Sequence, residues 1–176
     1  MGFERGFKSK ANRIALKVRE QMELSPDSPI DPLEVCALYD ITLIPLSTLE
    51  CDRSAFRGAD SSFFSAVTVP RGASRAIVHN DFHHPRRQRS NICHELAHCF
   101  LGHDCAPPLT PSGERVYSGG LEAEANFLGG ALLISNEAAR RIVLTGMSPF
   151  DAQQIYGVSA DMLEFRLRMS GAHIIA

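Results

Sequence analysis

Ile92-Cys93-His94-Glu95-Leu96-Ala97-His98-Cys99-Phe100-Leu101-Gly102 is the stretch whose reading decides the fold. Its apolar residues recur at helical spacing, and Gly102 marks a stop, so a helix is predicted over about 86–102. His94 and His98 stand four apart, a little over one turn. Both imidazoles therefore leave the same face, about 6 Å apart along the axis, where two nitrogens can reach one metal ion at about 2.0–2.1 Å. Glu95 lies beside that face, suited to holding a metal-bound water rather than to ligation. That division of labour is the one a metal-assisted hydrolase needs, with Glu95 as general acid and base. HExxH alone is a weak signal, and two surface histidines with a stray glutamate are the plain alternative. Ile92, Leu96, Ala97, Phe100 and Leu101 argue against it, because a surface helix has no use for them.

The rest of the chain reads outward from this helix as an α+β protein. Upstream, helices are predicted over 8–24 and from Asp31, with Pro32 at the first helical position, to about Tyr39. A short strand over 41–45 follows. Two more strands, 63–69 and 75–79, are joined through Pro70–Ser74 as an antiparallel hairpin. Downstream, 104–118 reads as a loop, and a helix covers about 121–133. Three helices, opened by the N-cap serines Ser135, Ser148 and Ser159, run to about Leu144, Tyr156 and Met169. The expected architecture is a small antiparallel sheet packed against several helices, the HExxH helix among them. The expected organisation is one domain over 1–176, with a catalytic core to about 134 and a C-terminal helical part over 135–176.

Composition narrows the function. The chain has 176 residues, a net charge of −2 and 44% hydrophobic residues. This supports a packed core and gives no electrostatic case for nucleic-acid binding. No apolar run is long enough for a membrane span, and no secretory signal opens the chain. The five cysteines, in no disulfide-framework spacing, read as reduced thiols in a cytoplasmic protein. Cys93, beside His94, is a candidate for oxidative sensitivity.

A catalytic zinc takes three protein ligands and an open position. Asp104 stands at the last place of an HExxHxxGxxH/D pattern, but Leu101 occupies the glycine position and Gly102 comes one residue late. His103 fits no common spacing. Glu122 and Asn126 share a face of the 121–133 helix, so Glu122 can ligate while Asn126 supports a histidine. Ala125, Gly129 and Gly130 would let the two helices approach closely. Glu124, turned by two residues from Glu122, reads as a solvated position.

Taken together, His94-Glu95-Leu96-Ala97-His98, Leu101-Gly102-His103, and Glu122 with Ala125-Asn126-Phe127 and Leu132-Leu133 resemble the ImmA/IrrE metallo-endopeptidases. The likeness extends to Ile77-Val78-His79-Asn80, to Arg86-Arg87-Gln88-Arg89 and to Tyr156-Gly157-Val158-Ser159 with Arg166-Leu167. Most of 30–170 fits in order, although Ile134-Ser135 stands where a proline often follows the paired leucines. The resemblance implies a zincin-like fold with zinc on His94, His98 and Glu122, and Glu95 as acid and base. It also implies a narrow endopeptidase acting on a transcriptional repressor. This chain has no room for the helix-turn-helix domain that many relatives carry. The substrate is therefore expected on a separate chain, a helix-turn-helix repressor or similar regulator, with no direct nucleic-acid contact and no membrane.

Several features carry competing readings. Residues 148–170 have the outline of a helix-turn-helix, with Gly157 at the turn, but Asp161 and Glu164 sit where DNA contacts would need basic groups. The Arg86–Arg89 run reads as a solvated helix start. Tyr117 and His103 are candidates to assist catalysis. No upstream glycine-cysteine motif supplies the thiolate of a deformylase-type site. The rival to the peptidase is a zinc-stabilised regulatory protein that sequesters a partner without proteolysis.

Overall fold

Prolines settle the arrangement of the sheet. In the computed structural model, which describes residues 3–50, 52, 54, 64–72, 74–103 and 119–172, β1 (Ile41–Pro45), β2 (Ala66–Arg71) and β3 (Ser74–His79) form a sheet of order β1-β3-β2. Proline donates no ladder hydrogen bond and belongs at sheet edges. Pro45 in β1 and Pro70 in β2 fit the two outer positions. β3, free of proline and burying Ala76 and Ile77, takes the centre. The expected all-antiparallel sheet is thereby corrected. β2 and β3 form the antiparallel hairpin, with Thr68 opposite Ile77, whereas β1 runs parallel to β3.

Seven α-helices accompany the sheet among the described residues: α1 (Phe7–Gln21), α2 (Pro32–Leu38), α3 (Pro85–Leu101), α4 (Gly119–Leu133), α5 (Asn136–Leu144), α6 (Pro149–Tyr156) and α7 (Ala160–Ser170). The α+β, zincin-like class is as the sequence predicts. Asp31 caps α2 through Leu33 N–H, and Ser135, Ser148 and Ser159 cap α5, α6 and α7. Such caps satisfy amides that the first turn leaves unpaired. α1 stops three residues before the predicted Leu24. Glu23 there takes a positive φ of 58°, and Leu24 N–H closes back onto the Arg19 carbonyl. Residues 104–118, with Asp104, Cys105 and Tyr117, lie outside the described residues, as do Phe63 and Ala73 at the ends of the predicted strand and turn.

α3 lies between the sheet and α4, so both faces of the HExxH helix are covered. Ile92, Leu96 and Ala97 meet the core with Ile77, Leu128 and Leu132. From Phe127 to Leu133 every residue of α4 is buried. Gly129 permits the contact with α3: a Cβ there would stand 3.0 Å from the Cys93 carbonyl oxygen and 3.1 Å from the His94 Cα. Gly130, next along, makes room for the Arg166 side chain.

Two arginines buried completely, Arg19 and Arg166, close the carboxyl end of α4. Arg19 donates to the carbonyls of Leu132 and Ser28, and Arg166 to the Ile134 carbonyl and Asn136 Oδ1. The last carbonyls of a helix lack intrahelical partners and carry its negative dipole end, so cations suit them. Burial pulls both guanidiniums down to about 10, which leaves them charged at neutral pH. The Arg166 guanidinium also sits 5.2 Å from the centre of the Phe127 ring. No helix among the described residues is long and apolar enough to cross a membrane.

Candidate metal centre

α3 and α4 each bring half of one polar cluster to their contact. On α3, His94 Nε2 and His98 Nε2 stand 3.0 Å apart. On α4, Glu122 reaches across, with Oε2 3.2 Å from His94 Nε2 and Oε1 3.5 Å from His98 Nε2. These ligand atoms all lie within 4.8 Å of one another, a group that could hold a metal ion.

The donor chemistry fits a cation. The Oδ1 of Asn126 is 3.0 Å from His94 Nδ1. With the amide oxygen in that place, His94 donates from Nδ1 and presents the lone pair of Nε2 inward. His98 is held neutral, its pKa pulled down to about 4 by burial and then by the neighbouring His94, against the opposing pull of Glu122. Neutral imidazole is the form a metal takes. Where both rings turn a lone pair inward, a cation between them and the Glu122 carboxylate would relieve their mutual repulsion. Four ligands at about 2.0–2.1 Å in a tetrahedron stand about 3.3 Å from each other; the two histidine nitrogens, 3.0 Å apart, are close to that value, and Glu122 brings one oxygen to each of them.

Glu95 is buried beside the cluster, and its Oε2 accepts a hydrogen bond of 2.6 Å from the Thr68 hydroxyl. Burial pushes its carboxyl above the usual range. The Thr68 hydrogen bond and His94 oppose the rise, and Glu122 adds to it. Thr68 belongs to the edge strand β2, which places that strand directly alongside the cluster. Sequence reasoning passed over Thr68, although one polar residue between Val67 and Val69 in a strand that must bury a face was a usable signal.

Other sequence candidates fall differently. Glu124 is not simply solvated, because its Oε2 lies 3.4 Å from His103 Nε2. Arg89 is no solvated helix start either. It donates to the Ile30 carbonyl, stands 3.6 Å from Asp31 and packs under Gly157, whose added Cβ would meet Arg89 Nε at 2.7 Å. Arg86 bonds Gln153. In the helix-turn-helix outline, Arg166 is buried and engaged with Ile134, while Asp161 and Glu164 are exposed. Cys93 is fully buried with its thiol pushed up by desolvation, which disfavours the reactive thiolate. Asp104 and Tyr117 lie outside the described residues.

No curated protein matches the chain. A family model does: the peptidase M78 model, described as the IrrE N-terminal-like domain, matches residues 44–168. That span takes in the hairpin, both helices of the cluster, α5, α6 and all but the last two residues of α7. By this match the chain belongs to the IrrE N-terminal-like family of metallopeptidases.

Proposed function

We propose that the protein is a zinc-dependent endopeptidase, with His94, His98 and Glu122 as ligands and Glu95 as general acid and base. One observation carries the reading: His94, His98 and Glu122, from two helices, bring their ligand atoms within 4.8 Å of one another beside a buried glutamate. Zinc, when bound, supplies Lewis-acid polarisation of a scissile carbonyl and acidification of a water molecule. The two-histidine, one-carboxylate set in a four-coordinate site suits zinc above harder ions.

The chain's own residues do the rest. Thr68 donates to Oε2 of Glu95 and so anchors the carboxylate that would take the proton of the attacking water. The raised affinity of the Glu95 carboxyl for protons suits a group that must take one and hand it to the leaving amine. Among the described residues β2 is an edge of the sheet and lies beside the cluster, so an extended substrate segment can add to it as a further strand. Following the family resemblance, the substrate is a protein on a separate chain, a helix-turn-helix repressor or similar regulator. The reaction takes place in the cytoplasm.

The test pairs metal content with cleavage. Elemental analysis should find about one zinc per wild-type chain and much less in Glu122→Ala. Zinc-loaded wild type and Glu95→Gln, each incubated with host-cell proteome, are then compared by mapping new protein N-termini. A regulator cleaved by wild type alone supports the reading, and equal cleavage by Glu95→Gln would sink the mechanism. Loaded wild type that cleaves nothing, yet retains a regulator on a column, would favour a zinc-stabilised sequestering protein.

A further inference from the structure

His103 is the one histidine of the cluster that the proposed chemistry leaves without a role. Its placement is unusually constrained. Gly102 takes the left-handed conformation that ends α3, at φ 72°, and turns the chain so that His103 N–H donates to the His98 carbonyl at 3.0 Å. The His103 ring is then carried back over His98, buried to 8% exposure, with Nδ1 2.9 Å from His98 Nδ1. On its far side, Nε2 stands 3.4 Å from Glu124 Oε2.

The protons follow from these contacts. Two ring nitrogens at 2.9 Å need one donor and one acceptor between them. His98 Nε2 faces His94 and Glu122 and must keep its lone pair to serve as a ligand, so the His98 proton sits on Nδ1. His103 Nδ1 therefore accepts. A neutral His103 then carries its own proton on Nε2, which is the atom aimed at Glu124. Every link of the chain Glu124–His103–His98 is used once as donor and acceptor, and Glu124 supplies a terminal negative charge.

We propose that His103 and Glu124 are positioning residues for the metal: they fix the tautomer and the plane of His98 and increase its basicity toward the ion. A carboxylate behind a ligating imidazole has this effect generally; here a second imidazole relays it. The proposal rests on the reading that His94, His98 and Glu122 hold zinc. It differs from that reading in predicting which non-ligand residues control affinity.

The test measures zinc and cobalt(II) dissociation constants of the full chain by competition with a chromophoric chelator. The visible spectrum of the cobalt form reports the ligand set, and metal-free melting curves serve as the folding control. His98→Ala and Glu122→Ala set the scale and should abolish tight binding. His103→Leu should weaken binding about 10- to 100-fold. His103→Asn places an amide oxygen where Nδ1 stood and should stay within about threefold of wild type. Glu124→Ala should weaken binding in wild type but have no effect in the His103→Asn background, where nothing relays its charge.

Wild-type affinity in His103→Leu would overturn the proposal, as would equal losses in His103→Leu and His103→Asn, the mark of simple packing. If His103→Leu does not fold, the Glu124→Ala pair carries the decision, and equal effects in both backgrounds would refute the relay. Wild-type binding by His98→Ala and Glu122→Ala would instead refute the metal reading, and the positioning chain with it.

Discussion

Gly129→Ala puts the α3–α4 contact to a quantitative test. The added Cβ would lie 3.0 Å from the Cys93 carbonyl oxygen and 3.1 Å from the His94 Cα, backbone atoms that cannot rotate aside. Ordinary contact needs about 3.5–4.0 Å, so the helices must part by about 0.5 Å. Overpacking of this kind costs about 1–3 kcal/mol, and replacing glycine by alanine inside a helix returns about 1 kcal/mol. The net expectation is a loss of about 0–2 kcal/mol. The site should suffer more than the fold. The 3.0 Å bond between Asn126 and His94 would stretch to about 3.5 Å, the outer edge of a hydrogen bond. Zinc affinity should then fall about tenfold or more. Gly120→Ala is the control, since a Cβ there meets nothing within 4 Å. Urea unfolding of the metal-free proteins and chelator competition give both quantities. A Gly129→Ala protein more stable by the full helix-propensity gain, with wild-type zinc affinity, would refute the close-packing argument.

Three further outcomes are expected. Thr68→Val removes the hydroxyl that Glu95 Oε2 accepts and that holds its carboxyl down; cleavage should fall about tenfold and the acid limb of the pH–rate profile should move to higher pH, so an unmoved limb would count against Thr68. Arg19→Met leaves the Leu132 and Ser28 carbonyls without their buried donor and should cost about 2–4 kcal/mol in urea unfolding. Finally, His98 is neutral in the folded metal-free protein down to about pH 4, whereas an unfolded histidine protonates near 6.5. The unfolded state therefore binds more protons in that window, and metal-free stability should fall as pH drops from 6.5 toward 4, less steeply in His98→Asn.

Helix after helix was legible because its signals are local. Asp31, Ser135, Ser148 and Ser159 announce starts, Gly102 and Gly157 announce stops, and four-residue spacing aligns His94 with His98. The pairing of Glu122 with Asn126 was legible for the same reason. What escaped depends on contacts distant in sequence. Strand alternation does not encode direction, so the sequence alone does not distinguish the parallel β1–β3 pair from an antiparallel one, although Pro45 and Pro70 mark the edges. Arg19 and Arg89 look like surface charges until the carbonyls they cap are brought to them. Glu124 looks solvated on its own helix, and only the turn at Gly102 brings His103 within its reach. Thr68 gains meaning only when β2 is laid against α3.

The two arginines at the end of α4 have a mechanical consequence. The helix is a beam clamped at its carboxyl end: Arg19, from the amino-terminal part of the chain, and Arg166, from its carboxyl-terminal part, grip the carbonyls around Leu132 and Ile134. Glu122 rides near the other end, ten residues and about 15 Å away, where Gly119, Gly120 and Leu121 are exposed. A cation drawn in by Glu122 and the two histidines would act on that end as a rivet. Loading the site and aligning the beam would then be a single event, and damage at either clamp would reach the ligand along the length of the helix.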